Sequence, residues 1–208
     1  MNFLYRLLPI ICAVLLLAGC GKSTDKLNTV HIATATLVKT LDPALADDLA
    51  SRNMAGALFD TLLEYDYLAR PYKLKPSMLE CIPQSLNGNT SYLFTLRNDL
   101  YFVPDKCFGS NDLQARKVKS SDVVFSLLRI ADGSLHSPLY WLLRGKVRGI
   151  EAFYSATANE KDQNKRFELY QKGVPGLEII DEKQFIIHLN NPDVRFLYNL
   201  AIPYTGIV

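Results

Sequence analysis

Apolar and polar positions change period several times along the chain, and each change marks an element. Residues 7–17 are apolar apart from Pro9, follow Arg6, and end in the small residues Ala18 and Gly19; the run is too short for the roughly 20 apolar residues that cross a bilayer. Residues 29–36 alternate Val30 and Ile32 with smaller or polar side chains, which predicts a strand that ends before Asp42-Pro43. Asp42 is suited to cap a helix and Pro43 to take its first position. Met54, Leu58 and Leu62, with Ala57 and Leu63 beside them, then recur at helical spacing, which predicts a helix up to Leu63 with that face buried. A proline-punctuated connector fills residues 70–83. After the turn signal Asn87-Gly88, Tyr92, Phe94 and Leu96 alternate as in a strand with one face in a core. Ser120 and Ser121 open a helix with Asp122 in its first turn and Val124, Leu127 and Leu128 on one side. Residues 177–189 are two apolar runs about Asp181, Glu182 and Lys183, a hairpin. Strands and helices alternate without an internal repeat, so the expected fold is mixed α/β.

Composition adds a core and removes some partners. The chain has 208 residues, 49% hydrophobic and 21% charged, with a net charge of +2. That is enough apolar material for a globular body, and too little clustered Lys and Arg for nucleic acid. The mildly basic clusters at residues 116–119 and 144–148 read as solvated loop faces.

The start of the chain carries the most specific short motif. An apolar segment after Arg6, closed by small residues, has the layout of a secretory signal. Leu17-Ala18-Gly19-Cys20 resembles the bacterial lipobox, in which the cysteine sulfur takes a diacylglycerol and the cut falls just before it. On that reading residues 1–19 are a signal peptide, and Cys20 is lipidated and begins the mature chain. Residues 20–28, small and polar, are then a tether. Two or three acyl chains hold a protein at a membrane without crossing it. A plain signal peptide with a chance cysteine, or an anchor left uncut, is the alternative. Of the four cysteines, Cys12 lies in the signal and Cys20 is the lipid site. Cys81 and Cys107 remain, either bridged or as separate thiols.

Catalytic signatures are missing. The sequence holds no Gly-x-Ser-x-Gly elbow, no His-Glu-x-x-His, no paired Cys-x-x-Cys and no phosphate-cradling glycine loop. His31, His136 and His188 are dispersed, which suits structural or exposed roles better than a base or ligand set. No metal, cofactor or catalytic residue is expected. Tyr140 and Trp141 form an aromatic pair for which core packing is the favoured role over stacking on a ligand.

The segments LDPALADDLASRNMAGALFDTLLEYD, LKPSMLECIPQ, SYLFTLRNDLYF, VKSSDVVFSLLRIAD, VRGIEAFYSA and GVPGLEIIDEKQFIIHLNNPDVRFLYNLAIP, in that order, resemble the successive blocks of the family 5 extracellular solute-binding proteins. These are the dipeptide and oligopeptide receptors of bacterial ABC importers. The resemblance implies the N-terminal lobe of a type II periplasmic-binding-protein clamshell. Residues 29–208 would form lobe I, with an inserted subdomain at about residues 50–190, the second lobe missing and the chain a gene fragment or a truncated reading frame. It implies a monomer in the cell envelope, facing the periplasm or the exterior, that captures a peptide or another small solute and delivers it to permease subunits. Nickel complexes, haem and oligosaccharides are also ligands in the family. By position in the blocks, Leu37, Val38, Lys39 and Thr40 would pair main chain with a bound peptide, and Ile202, Pro203 and Tyr204 would line a side-chain pocket. Residues 103–119 depart from the family's short turn and are expected to be a surface loop. A lipid-anchored interaction or signalling module, and a lipoprotein hydrolase, are the rival readings.

Overall fold

The computed structural model describes residues 33, 36–109, 112–203 and 205–208. The chain divides into two compact units, Met1–Thr34 and Ala35–Val208, and every element described here belongs to the second. The signal segment, Cys20, the tether and the strand expected over residues 29–36, apart from Ala33 and Thr36, lie outside the described residues.

Asp42 does act as a cap, its carboxylate accepting the Ala44 amide at 3.0 Å, but it opens only a three-residue 3-10 turn, Pro43–Leu45. The longer helix, α1 (Leu49–Leu58), is led by Asp48, which accepts the Ser51 amide at 3.0 Å. This start turns small residues inward: Ala50, Ser51 and Ala55 are buried, whereas Met54 and Leu58 are 39% and 56% exposed. The expected buried face through Met54 and Leu58 and the extension to Leu63 are therefore incorrect. Leu62 and Leu63 are buried for another reason, because the chain turns into strand β1 (Leu63–Asp66) and carries them into the core. β1 pairs antiparallel with β2 (Lys73–Pro76), which lies inside the stretch expected to be a connector.

The main sheet has four strands, β3 (Gln84–Leu86), β4 (Ser91–Thr95), β5 (Leu177–Ile179) and β6 (Gln184–His188), in the order β3-β4-β6-β5. All of its pairings are antiparallel. Asn87, Gly88 and Asn89 make the β3–β4 turn with φ of 48°, 65° and 66°, the left-handed region that asparagine and glycine tolerate best. From there Tyr92, Phe94 and Leu96 point into the core as their alternation requires. Phe94 lies opposite Phe185 in the β4–β6 register, with the rings stacked at 4.8 Å.

Helix α2 (Ser120–Ile130) packs on this sheet, with Val123, Val124, Leu127, Leu128 and Ile130 buried. Its start is tied to the β5–β6 turn, where the Ser120 hydroxyl donates to the Asp181 carbonyl and the Ser120 amide to the Glu182 carbonyl at 2.9 Å. Helices α3 (Ile150–Asn159), α4 (Gln163–Lys172) and α5 (Phe196–Asn199) complete the unit. Residues 103–119 form an excursion whose ends pair, Phe102 N–H to Arg116 carbonyl at 2.8 Å and Val118 N–H to Leu100 carbonyl at 3.1 Å. Cys81 and Cys107 are both exposed free thiols.

Candidate functional site

The segment expected to meet a peptide is positioned by α1. The Lys39 and Thr40 amides both donate to the Ser51 hydroxyl oxygen, at 2.9 and 3.2 Å. That hydroxyl donates in turn to Asp48 Oδ2 at 2.7 Å. The Ser51 hydroxyl and amide together hold the Asp48 carboxyl below the ordinary carboxylate range. Two of the four amides in the segment are thus engaged within the protein, while Leu37, 89% exposed, and Val38 keep theirs free among the described residues.

Asp42 fixes the other end. Its amide donates to Thr40 Oγ1 at 3.1 Å, and its carboxylate takes both Arg129 nitrogens of α2 at 3.2 and 2.5 Å. A forked, partly buried pair of this kind orients the backbone on each side of it. The Ser137 hydroxyl donates to the Ala44 carbonyl at 2.6 Å and closes the turn from below.

The second expected segment reaches the same helix. The Leu63 amide donates to the Leu200 carbonyl at 3.4 Å and the Ile207 amide to the Asp60 carbonyl at 3.0 Å, which sets Leu200 beside Leu63 and Ile207 beside Asp60. A Cβ on Gly56 would meet Pro203 Cβ at 2.9 Å, so only glycine lets the two backbones approach this closely. Ser51 and Gly56 are five residues apart, roughly 7.5 Å along a helix axis. The two expected segments therefore meet one element at its first turn and its second half. Ile202 is partly buried against the core, and Tyr204 lies outside the described residues. Sequence reasoning missed Ser51 and Asp48. The available signal was Asp48 three residues ahead of a serine, masked by the stronger Asp42-Pro43 start a few residues earlier.

Beneath this face, Leu58, Phe59, Met78, Leu100, Phe102 and Ile207 line part of a cavity of about 390 Å³. At the far side of the sheet, Ser91 Oγ lies 2.9 Å from His188 Nδ1, and His188 Nε2 lies 2.8 Å from Glu178 Oε2. Serine, histidine and carboxylate in this order resemble a nucleophilic triad. Ser91 is 1% exposed, however, and no substrate carbonyl can reach its oxygen. The chain of contacts instead clips β4, β6 and β5 together. Tyr140 packs as expected, stacked on Tyr154 at 4.2 Å. Trp141 does not: it is 57% exposed, with the Lys146 ammonium 5.8 Å from its ring centre. A 3-10 turn spaces successive side chains about 120° apart, so Leu142 points inward and Trp141 outward. Among the described residues no group of three His, Cys, Asp or Glu is placed to hold a metal ion.

No family model matches the sequence. The chain is 28% identical over 172 residues to the peptide transport periplasmic protein SapA of Salmonella typhimurium, covering 82% of this chain and 27% of the relative. Its fold matches that of the pheromone receptor PrgZ, a structure describing peptide binding, with a TM-score of 0.63 over 84% of this chain and 29% of the receptor, at 20% identity. Haemophilus influenzae OppA in complex with the peptide RPPGFSPFR matches with a TM-score of 0.62 at 19% identity, over 81% of this chain and 28% of the other. The chain spans less than a third of the length of these proteins. Within that span the resemblance to the family 5 solute-binding proteins stands in both sequence and fold, and the mixed α/β architecture is that of part of the binding-protein clamshell. The relatives are named for transport and binding of peptides, not for catalysis.

Proposed function

We propose that this chain is part of the substrate-binding component of a bacterial ABC importer, which captures peptides outside the inner membrane and passes them to permease subunits. The observation that carries the reading is the 172-residue match to a peptide transport protein, joined to the fold of peptide-binding proteins over more than four fifths of the chain. The protein works as a monomer, in the periplasm or at the cell exterior, held to a membrane through lipid on Cys20. Within lobe I, ahead of the inserted subdomain at about residues 50–190, peptide main chain pairs with Leu37 and Val38, whose free amides suit strand addition, and with the carbonyls of Lys39 and Thr40. Ile202 and Tyr204 border a side-chain pocket.

Uptake of isotopically labelled di- to pentapeptides, measured before and after the gene is inactivated, tests the function. Import should fall several-fold and return with the intact gene; unchanged import rejects the reading. Mass spectrometry of the membrane fraction should find a diacylated N-terminus at Cys20, and Cys20→Ser should leave unprocessed precursor.

A further inference from the structure

The chain's only tryptophan, Trp141, is exposed and stands among basic side chains that the peptide reading does not use. Residues 140–147 coil tightly: the Arg144 and Val147 amides donate four residues back, to the Tyr140 and Leu143 carbonyls, at 2.9 and 3.0 Å. The coil turns Leu142, Leu143 and Val147 into the core and leaves Trp141, Arg144 and, one residue beyond it, Arg148 exposed, with Lys146 half-buried. It is also pinned from the side. The Asn190 amide donates to the Lys146 carbonyl at 2.7 Å, and the Asn199 side chain to the Leu142 carbonyl at 3.3 Å. The outward side chains thus stand on a fixed backbone, which lowers the cost of ordering them against a partner.

Positive charge is in excess on this surface. Among the described residues no carboxylate forms an ion pair with Arg144, Lys146 or Arg148. The Lys146 ammonium lies 5.8 Å from the Trp141 ring centre, and Arg148 Nε donates to the Leu189 carbonyl at 2.9 Å. The acid bonded to the coil is Glu151, whose carboxylate accepts the Gly145 amide. Counting it in full against the three cations leaves two positive charges, as many as the net +2 of the whole chain. An indole has an apolar body and one N–H donor, which suits it to the level of lipid headgroups. Cations around it gain from anionic headgroups. A small anion would leave the indole in water, whereas a lipid surface covers ring and cations together and needs no concave site.

We propose that residues 141–148 form a contact for anionic phospholipid headgroups, Trp141 lying at the interface and Arg144, Lys146 and Arg148 facing the phosphates. The contact goes beyond the importer reading and depends neither on the solute carried nor on lipid at Cys20.

The test is the emission of Trp141 in the full chain titrated with vesicles of phosphatidylglycerol and phosphatidylcholine in equal parts, against vesicles of phosphatidylcholine alone. As the only tryptophan, Trp141 reports this surface and no other, so attachment through residues 7–17 would not by itself shift it. Emission should move to the blue and lose its access to iodide with the anionic vesicles only, and about 1 M salt should reverse the change. Arg144→Gln combined with Lys146→Gln should raise the lipid concentration at half the shift about twenty-fivefold, since each basic side chain near such a surface contributes about a fivefold factor. Polyglutamate at the same charge concentration should leave emission unchanged. No shift with anionic vesicles, an equal shift with neutral ones or with polyglutamate, or an unchanged half-point in the folded double variant would each overturn the proposal. So would a shift in the parent that survives salt, which decides the matter if the double variant does not fold.

Discussion

The β4–β6 pair and the segment of residues 37–51 lie in one unit and are held by opposite means. The strand pair is held by apolar side chains: Phe94, Phe185, Leu96 and Ile187 are fully buried, and a stacked ring pair stands at their centre. The segment buries little beyond Ala44, Ala46 and Ala50 and is held by short polar side chains, Asp42 on Arg129 and Ser51 on the Lys39 and Thr40 amides. Burial is non-directional and survives small shifts in register, whereas each hydrogen bond requires one particular geometry. A sheet built the first way makes a stable frame. A backbone edge held the second way is set in place while its outer amides stay open to a partner.

Breaking the strand pair should have the largest effect. Phe94→Ala removes one ring of a fully buried stack and leaves a cavity that the sheet cannot collapse, which costs about 3–5 kcal/mol. Urea denaturation should show a fall in midpoint with little change in slope. A loss under about 1 kcal/mol would mean that the sheet is not the frame.

On the polar side, Asp42→Ala removes a cap and strands a partly buried Arg129, with an expected cost of about 1–3 kcal/mol. A double-mutant cycle with Arg129→Met sharpens the point, since Met keeps the stem and drops the charge. If the pair orients the segment, the double variant recovers part of the loss. Additive losses would show that the bridge contributes only as two independent side chains.

What was legible in the sequence follows the same division. The alternation of Tyr92, Phe94 and Leu96, the buried stripe of α2 and the β5–β6 hairpin were readable because apolar burial imposes a period. The start of α1 was not readable that way, because Asp42 and Asp48 are both competent caps and only tertiary contacts choose between them. Once Asp48 leads, the helix turns Ala50 and Ala55 inward, and Met54 and Leu58 are left outside. β2 was hidden by Pro71 and Pro76, although Leu74 between two lysines carries a strand's alternation. Block order singled out residues 37–40 as expected ligand contacts, but nothing in the spacing revealed that a serine on α1 would engage two of their amides.

Ser51→Ala is a smaller and more local break. It frees the Lys39 and Thr40 amides and removes a donor to Asp48, for an expected cost of about 1 kcal/mol. Amide exchange at residues 39 and 40 should accelerate while exchange in β4 and β6 is unchanged. Acid should act in the same direction. Asp48's carboxyl is lowered by the Ser51 hydroxyl and then by its amide, so its contribution is fully present above the ordinary carboxylate range and is lost as pH falls through the lowered value. Exchange at residues 39 and 40 that responds to neither change would separate the segment from α1.

Trp141→Ala should have the smallest effect, and it tests whether a large aromatic in this unit is structural by default. Its neighbours in the 3-10 turn Tyr140–Leu142 are engaged, Tyr140 on Tyr154 and Leu142 in the core, so the turn is held without it. The indole is more than half exposed, and the Lys146 ammonium stands 5.8 Å from its ring centre, near the outer limit for an attraction to the ring face. An exposed cation over a ring contributes at most about 0.5–1 kcal/mol, and a surface substitution away from caps and cavities ordinarily shifts stability by less than about 0.5 kcal/mol. The urea midpoint of Trp141→Ala should therefore match the parent within error, and tryptophan emission of the parent should be red-shifted and readily quenched by iodide in the native state. Blue-shifted emission protected from iodide, or a loss above about 1 kcal/mol, would place the indole under cover and return it to the core.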